Sequence, residues 1–436
     1  MSLQIEFKRF PFWHRLLLRL PEPEEGSVYI VGGWVRDLLF FGQPCNLELD
    51  WSVSGNAIEW GRRIAARFHV PVLSESALGT SRLVVEHEGV SIRFDLASCR
   101  REYYPSPGDL PVVSPALIEE DLERRDFSIN AMAIAVTFPV PEQALLLDPL
   151  GGIEDLARKR LRILHPDSFY EDPTRIFRLF RFQQRMGLVL SRGTEDALVR
   201  ARDSCFLSSV SRSRLWDEVR NMVAEPDPLP IVFEWLARVP WGTMLPSLRS
   251  TGPRRLRLIR WLHLRQDVTP FLRNGKYNPE LLFLLAFLYG ISRKEFQRAT
   301  SLFGVPDRVK ERIRETLFQK NDRGVFHLFE ERCAEEEGGW WREAGRIPLE
   351  SAYLLAIRSP VERIGFWKKF FRASEESPTL LTGDDLLREG VSPSAFLSEL
   401  LSEVRNLQRS GKLRSRGEAL MWVRNRLGPS SPGDSG

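Results

Sequence analysis

Two short stretches decide how this chain is read: Val31-Gly32-Gly33-Trp34-Val35-Arg36-Asp37 and, beginning ten residues after it ends, Leu47-Glu48-Leu49-Asp50-Trp51-Ser52-Val53. In the second, apolar residues 47, 49, 51 and 53 alternate with polar residues 48, 50 and 52, the period of a strand with one buried face. Glu48 and Asp50 therefore project from the same side. Two adjacent carboxylates repel, so their pairing makes sense if a cation bridges them. Hard divalent ions such as Mg²⁺ take oxygen ligands and are held by one or two carboxylates plus substrate phosphates. The glycine pair lies between an apolar strand at 28–31 and a helix from 34, a turn that lets backbone N–H groups and a helix N-terminus approach phosphate. A phosphate cradle beside a metal site points to nucleotidyl transfer.

An isolated E-x-D is commonly a solvated strand face. A third acid changes the weighing. Val90, Ile92, Phe94 and Leu96 alternate with Ser91, Arg93, Asp95 and Ala97, after an apolar run at 83–85 and a turn at Glu88-Gly89. Asp95 again falls on the polar face. Three carboxylates on neighbouring strands suit a two-metal site, whose ions stand ~3.5–4 Å apart.

The glycine motif with Glu48-x-Asp50 resembles the first motif of the class II tRNA nucleotidyltransferases: the CCA-adding enzymes, their CC-adding and A-adding relatives, and bacterial poly(A) polymerase. Further matching segments follow in order: 124–133 (Arg-Arg-Asp-Phe-Ser-Ile-Asn-Ala-Met-Ala), 148–156 (Asp-Pro-Leu-Gly-Gly-Ile-Glu-Asp-Leu), 171–175 (Glu-Asp-Pro-Thr-Arg) and 214–218 (Arg-Leu-Trp-Asp-Glu). One departure is Glu48, where the family usually has Asp; it keeps the charge on a longer arm. The resemblance implies an α+β protein with a palm-like head on a mixed β-sheet (1–150). After it would come an all-helical neck (151–225), body (226–345) and tail (346–428); residues 429–436 have the composition of a disordered end.

The same resemblance implies template-independent addition of C, A or both to the tRNA 3′ end, from CTP and ATP, with release of pyrophosphate. Glu48 and Asp50 would hold two Mg²⁺ ions, with Asp95 as the third catalytic carboxylate. Gly32, Gly33 and Arg36 would cradle the triphosphate. Arg125 and Asp126, supported by Asn130, match the pair that contacts the ribose. Asp172 and Arg175 match the residues that read the base, with Arg178 beside them. Cytosine and adenine share a ring-nitrogen acceptor next to an exocyclic amine donor, which an aspartate and an arginine complement. Uracil and guanine reverse that pattern, and mispaired buried polar groups are strongly rejected. A poly(A) polymerase and a catalytically inactive RNA-binding relative are the alternatives. The three intact carboxylates argue against the latter, and the segment from Glu102 to Pro111 favours tRNA over general RNA.

Pattern alone reads parts of these motifs more plainly. Asp172-Pro173 is a helix start, with Asp as cap and Pro at the first position. Arg175, Arg178, Arg181 and Arg185 then share about a third of the helical circumference, opposite Ile176, Phe177, Leu179, Phe180 and Phe182. That is also an amphipathic core helix with a solvated arginine face. Asp126 reads equally as a helix cap. Residues 148–156 read as a glycine-permitted bend, and Arg214 with Glu218 as an i, i+4 ion pair.

Length and composition set bounds. The 436 residues suit about two to four domains, and 43% hydrophobic content with 29 scattered prolines is globular. Four separated cysteines without C-x-x-C, and six scattered histidines, indicate neither zinc nor a disulfide framework. A reducing cytoplasm follows as the expected compartment. There is no signal peptide pattern, and the longest apolar run, 281–291, is about half a membrane span, so it reads as a buried helix. Net charge is only +4, but arginines cluster at 175–185, 253–265 and 405–426. Residues 381–393 resemble the family's tail segment, which engages the tRNA elbow region, although Ser394-Ala395 stands where Gly-Pro is common; the expected partner is the tRNA 3′ end with its acceptor and T arms. Arg405, Arg409 and Lys412, with Arg181 and Arg185, are the expected phosphate contacts, and Arg414, Arg416, Arg424 and Arg426 add to them.

Overall fold

The computed structural model describes residues 3–105, 111–203, 210–239, 258–259, 279–318, 353–354, 356–357, 367, 379–391, 395–409 and 412–427. By their contacts they form two compact units: one runs to Glu218 and takes in the segment from Phe233, and the other holds the rest.

Ten strands and seven helices of the first unit position the site. The strands are β1 (Gln4–Glu6), β2 (Val28–Val31), β3 (Glu48–Val53), β4 (Val72–Ser76), β5 (Thr80–His87), β6 (Val90–Ser98), β7 (Arg100–Tyr103), β8 (Val112–Pro115), β9 (Ala133–Val136) and β10 (Gln143–Leu147). The helices are α1 (Pro11–Leu17), α2 (Gly33–Phe41), α3 (Ala57–Phe68), α4 (Ile118–Glu123), α5 (Gly152–Ala157), α6 (Ser168–Glu171) and α7 (Thr174–Met186). Eight strands form one mixed sheet in the order β1-β10-β9-β2-β3-β6-β5-β4, while β7 and β8 pair separately as a two-stranded ribbon. Only β3 and β6 run parallel in the large sheet.

The expected strands at 28–31 and 47–53, the helix after the glycine turn and the two strands around Glu88-Gly89 are all present, and α3 follows β3. Alternation explains β3: Leu49, Trp51 and Val53 are buried, with Trp51 packed edge-on against Trp60 of α3 at 5.0 Å. Asn56 caps α3 by accepting from the N–H groups of Ile58 and Glu59. Gly61 lets α3 sit close on β5, since a Cβ there would meet Ser81 Oγ at 2.5 Å.

Two expectations need correction. The strand pattern read from the sequence begins at 28, yet Gln4–Glu6 pairs with β10 and lengthens the sheet. The neck is also not all-helical: Arg160–Leu161 and Val189–Leu190 form a short parallel pair, β11 and β12. Both are short segments whose pairing comes from distant chain, where period-2 alternation has little length to register.

In the second unit the described elements are helical. The helix Pro279–Leu288 begins with proline, carries Glu280 in its first turn and is buried from Leu281 to Leu288. Near the C-terminus a small core gathers Leu381, Leu386, Val391, Leu400, Val404, Leu413, Ala419 and Val423. There Thr382 and Asp385 form a reciprocal capping box at the start of the helix Gly383–Arg388.

Candidate active site

The turn between β2 and α2 needs its first glycine. Gly32 has φ +71°, a backbone region that side chains resist, and a Cβ there would meet Asp50 Oδ2 at 2.9 Å and Arg125 Nη1 at 3.5 Å. The missing side chain leaves a gap bounded by the N-terminus of α2, the Asp50 carboxylate and the Arg125 guanidinium. Gly33 follows in the first turn of α2, with the Arg36 guanidinium folded over it.

The parallel register sets Asp50 beside Asp95 and Glu48 beside Arg93. All three acids thus meet on one side of the sheet. Burial pushes the Asp50 carboxyl above its usual range; Arg125 pulls it down, while Asp95 and Glu48 push it further up. Arg93 bridges the outer two, with Nη2 at 2.6 Å from Glu48 Oε2 and Nε at 3.0 Å from Asp95 Oδ2. Arg82 from β5 pairs with the other Asp95 oxygen. Among the described residues no three such groups are drawn together tightly enough to hold a metal ion as they stand. The donor chemistry nonetheless suits a hard divalent cation, since the acids that border the gap at Gly32 offer carboxylate oxygens.

Behind this gap lies a buried polar chain. Arg36 donates to Asp37 at 2.8 Å and to Asn130 Oδ1 at 2.9 Å, and its guanidinium covers the Phe182 ring. Asn130 in turn donates to Asp126 Oδ1, whose other oxygen pairs with Arg178 Nη2 at 2.7 Å. Arg36 is 4% exposed, so its position beside the glycine turn is inside the protein, and its donors already have partners. Asp126 also accepts from the Phe127 N–H, which agrees with the plain reading of a turn cap.

The arginine face of α7 is only partly solvated: Arg175 is buried, Arg178 and Arg181 are half-buried and Arg185 is exposed. Arg175 is 3% exposed; it donates to Ser168 Oγ at 2.7 Å and to the carbonyl of Arg124 at 2.8 Å. Arg178 reaches Asp126, Arg181 pairs with Glu218 at 3.3 Å, and Arg185 lies 3.7 Å from Asp37. Asp172 does cap the start of α7, accepting from the Thr174 N–H and hydroxyl, although the regular helix begins at Thr174. The expected Arg214–Glu218 pair is not formed. Arg214 turns instead to Asp172 Oδ2 at 2.5 Å and Glu218 to Arg181, because the acid on the neighbouring element is closer to hand than the one a turn along the same helix.

Some site residues escaped the sequence reading. Asp121 and Ser52 lie buried behind Arg125, and Tyr104 donates to Glu102 at 2.8 Å, with burial the first cause pushing its hydroxyl up. A local signal existed for Asp121, which stands i, i+3 and i, i+4 from Arg124 and Arg125. In the tail, Arg405 and Lys412 are exposed, and the side chain of Arg409 lies outside the described residues. Arg416 and Arg424 are instead paired with Asp385 and Glu389. Residues 148–156 form the expected bend, with the Asp148 carboxylate accepting from the N–H groups of Gly152 and Ile153.

Comparison with known proteins places this geometry. A model of the poly A polymerase head domain matches residues 28–162. The CC-adding tRNA nucleotidyltransferase of Deinococcus radiodurans is 35% identical over 95% of this chain and 93% of that protein. The A-adding tRNA nucleotidyltransferase of Aquifex aeolicus is 42% identical over 47% of this chain; the match spans only 24% of that longer protein. Among solved structures, a CCA-adding enzyme in an apo form superposes with a TM-score of 0.70 at 24% identity, covering 97% of this chain and 99% of that one, a likeness of fold. No helix among the described residues is long and apolar enough to cross a membrane.

Proposed function

We propose the activity of this chain from the family it belongs to, the tRNA nucleotidyltransferases and poly(A) polymerases: it extends tRNA 3′ ends without a template, adding C, A or both from CTP and ATP. The observation that carries the reading is the meeting of Glu48, Asp50 and Asp95 on one side of the sheet, beside the gap at Gly32. Glu48 and Asp50 would hold Mg²⁺, with Asp95 next to them; the bound ions would lower the charge on the reacting phosphate and the leaving pyrophosphate.

The remaining roles belong to the protein's own groups. The α2 N-terminus and the backbone of Gly32 and Gly33 offer N–H donors to a triphosphate. Arg125 presents Nη1 to the same gap, and its Nε is buried without a partner, as suits a donor that awaits a sugar or phosphate oxygen. Arg36, Asn130, Asp126 and Arg178 form the wall against which such a ligand would rest. For Asp172 and Arg175 to read a base edge, each must exchange a bond it makes here: Asp172 with Arg214, Arg175 with Ser168 or the Arg124 carbonyl. That exchange makes base reading conditional on the nucleotide's arrival. A cytoplasmic location fits the reading.

The test is to incubate the purified chain with labelled ATP or CTP, Mg²⁺, and tRNA transcripts ending before CCA, after C, after CC or after CCA. Addition that stops within CCA supports tRNA end synthesis and shows which nucleotides are added. Long A tails on any RNA would support a poly(A) polymerase, and no incorporation would overturn the proposal.

A further inference from the structure

Ser52 lies two residues beyond Asp50 on β3, and its Oγ donates to Asp121 Oδ2 at 2.8 Å. Arg125 Nη2 reaches that same carboxylate oxygen and Ser52 Oγ, each at 3.1 Å. The other oxygen of Asp121 accepts from Arg124 Nε at 3.0 Å, from Arg124 Nη2 at 2.7 Å and from the backbone N–H of Arg100 at 3.2 Å. Asp121 is fully buried, so these five donors account for its carboxylate. Burial alone would push its carboxyl up, but Arg125 and Arg124 outweigh it and hold the group ionised, below the usual aspartate range.

The two arginines lead in different directions. Arg125 turns Nη1 toward the gap at Gly32 and Asp50. Arg124 pairs with Glu102 at 3.0 Å, and its carbonyl receives Arg175 Nη2 from α7. A flexible guanidinium has a defined direction only when some of its donors are anchored. Here one carboxylate anchors both, and it is itself tied to the strand that carries Asp50.

We propose that Asp121 is a positioning residue of the nucleotide site: by gripping Arg125 and Arg124 against Ser52 it sets the donor that faces the sugar and phosphates together with the seat of the base-reading Arg175. The inference rests on the function proposed above. Binding of the nucleotide and choice of its base are then coupled through one buried group that touches neither. Asparagine cannot replace it, because its amide nitrogen would face donors on one side or the other.

The test uses the full-length chain with Asp121→Asn and, as a milder change that leaves the carboxylate in place, Ser52→Ala. Equilibrium dialysis with labelled ATP and CTP reads binding without tRNA. Ratios of kcat/KM for the four nucleotides read base choice, and thermal melting reads the fold. Asp121→Asn should weaken nucleotide binding by about tenfold or more, the scale of a lost charged hydrogen bond, and should lower the preference for C and A over U and G. Ser52→Ala should shift both in the same direction by a smaller factor.

A purely structural Asp121 would lower the melting temperature and the active fraction while leaving Kd, KM and the base ratios unchanged; that result overturns the proposal. If Asp121→Asn does not fold, Ser52→Ala decides alone, and unchanged binding there is equally fatal. A wild-type chain that binds ATP or CTP but extends no tRNA refutes the proposed function, while the dialysis ratios still judge the role of Asp121. A wild-type chain that binds neither nucleotide overturns both.

Discussion

Asp50 on β3 and Asp95 on β6 stand side by side as register partners of two parallel strands. Their surroundings differ: Asp95 is paired with Arg82 and Arg93, while Asp50 is pushed upward chiefly by burial, with Arg125 as its main opposing charge. Asp50→Asn therefore removes a charge the folded protein disfavours. Melting temperature should stay level or rise, while nucleotide transfer falls by roughly 10²-fold or more. Near-normal turnover with an unchanged melt would remove Asp50 from the chemistry.

Arg93 holds Glu48 and Asp95 at 2.6 and 3.0 Å, so a divalent ion must compete with it. Both partners of the Glu48 pair are more than a third exposed, and such pairs are weak, about 0–1 kcal/mol. Arg93→Gln should accordingly tighten Mn²⁺ binding by only a few-fold. Electron paramagnetic resonance of free Mn²⁺ measures this directly; weaker binding in the variant would mean that Arg93 supports the site instead of opposing the ion.

Arg175 has both a structural and a recognition role to separate. Its bonds to Ser168 and to the Arg124 carbonyl join α7 to the head, and Arg175→Ala should cost about 1–3 kcal/mol of stability. If it also reads the base, the kcat/KM ratio of CTP and ATP over UTP and GTP should fall. Equal loss for all four nucleotides would confine Arg175 to the core.

Asp172 supplies a pH signature. Burial alone would raise its carboxyl, but Arg214, the Thr174 hydroxyl, Arg175 and Arg178 hold it below the ordinary value of 3.8. A depressed folded pKa gives stability that is complete above the unfolded value and disappears as pH falls through the folded one. The melting temperature of the wild type should exceed that of Asp172→Asn by a constant margin above about pH 5, and the gap should close from about pH 4 downward. A margin that widens on acidification would contradict the ion pair with Arg214.

In the tail, exposed Arg405 and Lys412 differ from Arg424, which is held by two bonds to Glu389 at 2.6 and 2.8 Å. If the first two meet tRNA phosphates, Arg405→Ala with Lys412→Ala should reduce the salt slope of tRNA binding by about two. Filter binding across a salt series measures it, and an unaltered slope would exclude them as contacts.

The sequence by itself determined the local elements of the head. Alternation in β3 and β6, the glycine turn before α2 and the Asn56 cap are written in neighbours two to four residues apart, because strand pleat, helix pitch and capping are local geometry. It also placed Glu48, Asp50 and Asp95 on polar strand faces. Tertiary structure alone decided what those faces meet. Gln4–Glu6 became an edge strand only because β10 offered it a partner, and the arginines of α7 found acids at Asp126, Asp37 and Glu218. Arg214 passed over Glu218, one turn away, for Asp172, 42 residues back in the chain. The bond between Ser52 and Asp121 likewise spans 69 residues. A buried charge takes the partner that the packing brings within reach, and pairing across such separations has no period in the sequence from which it can be read.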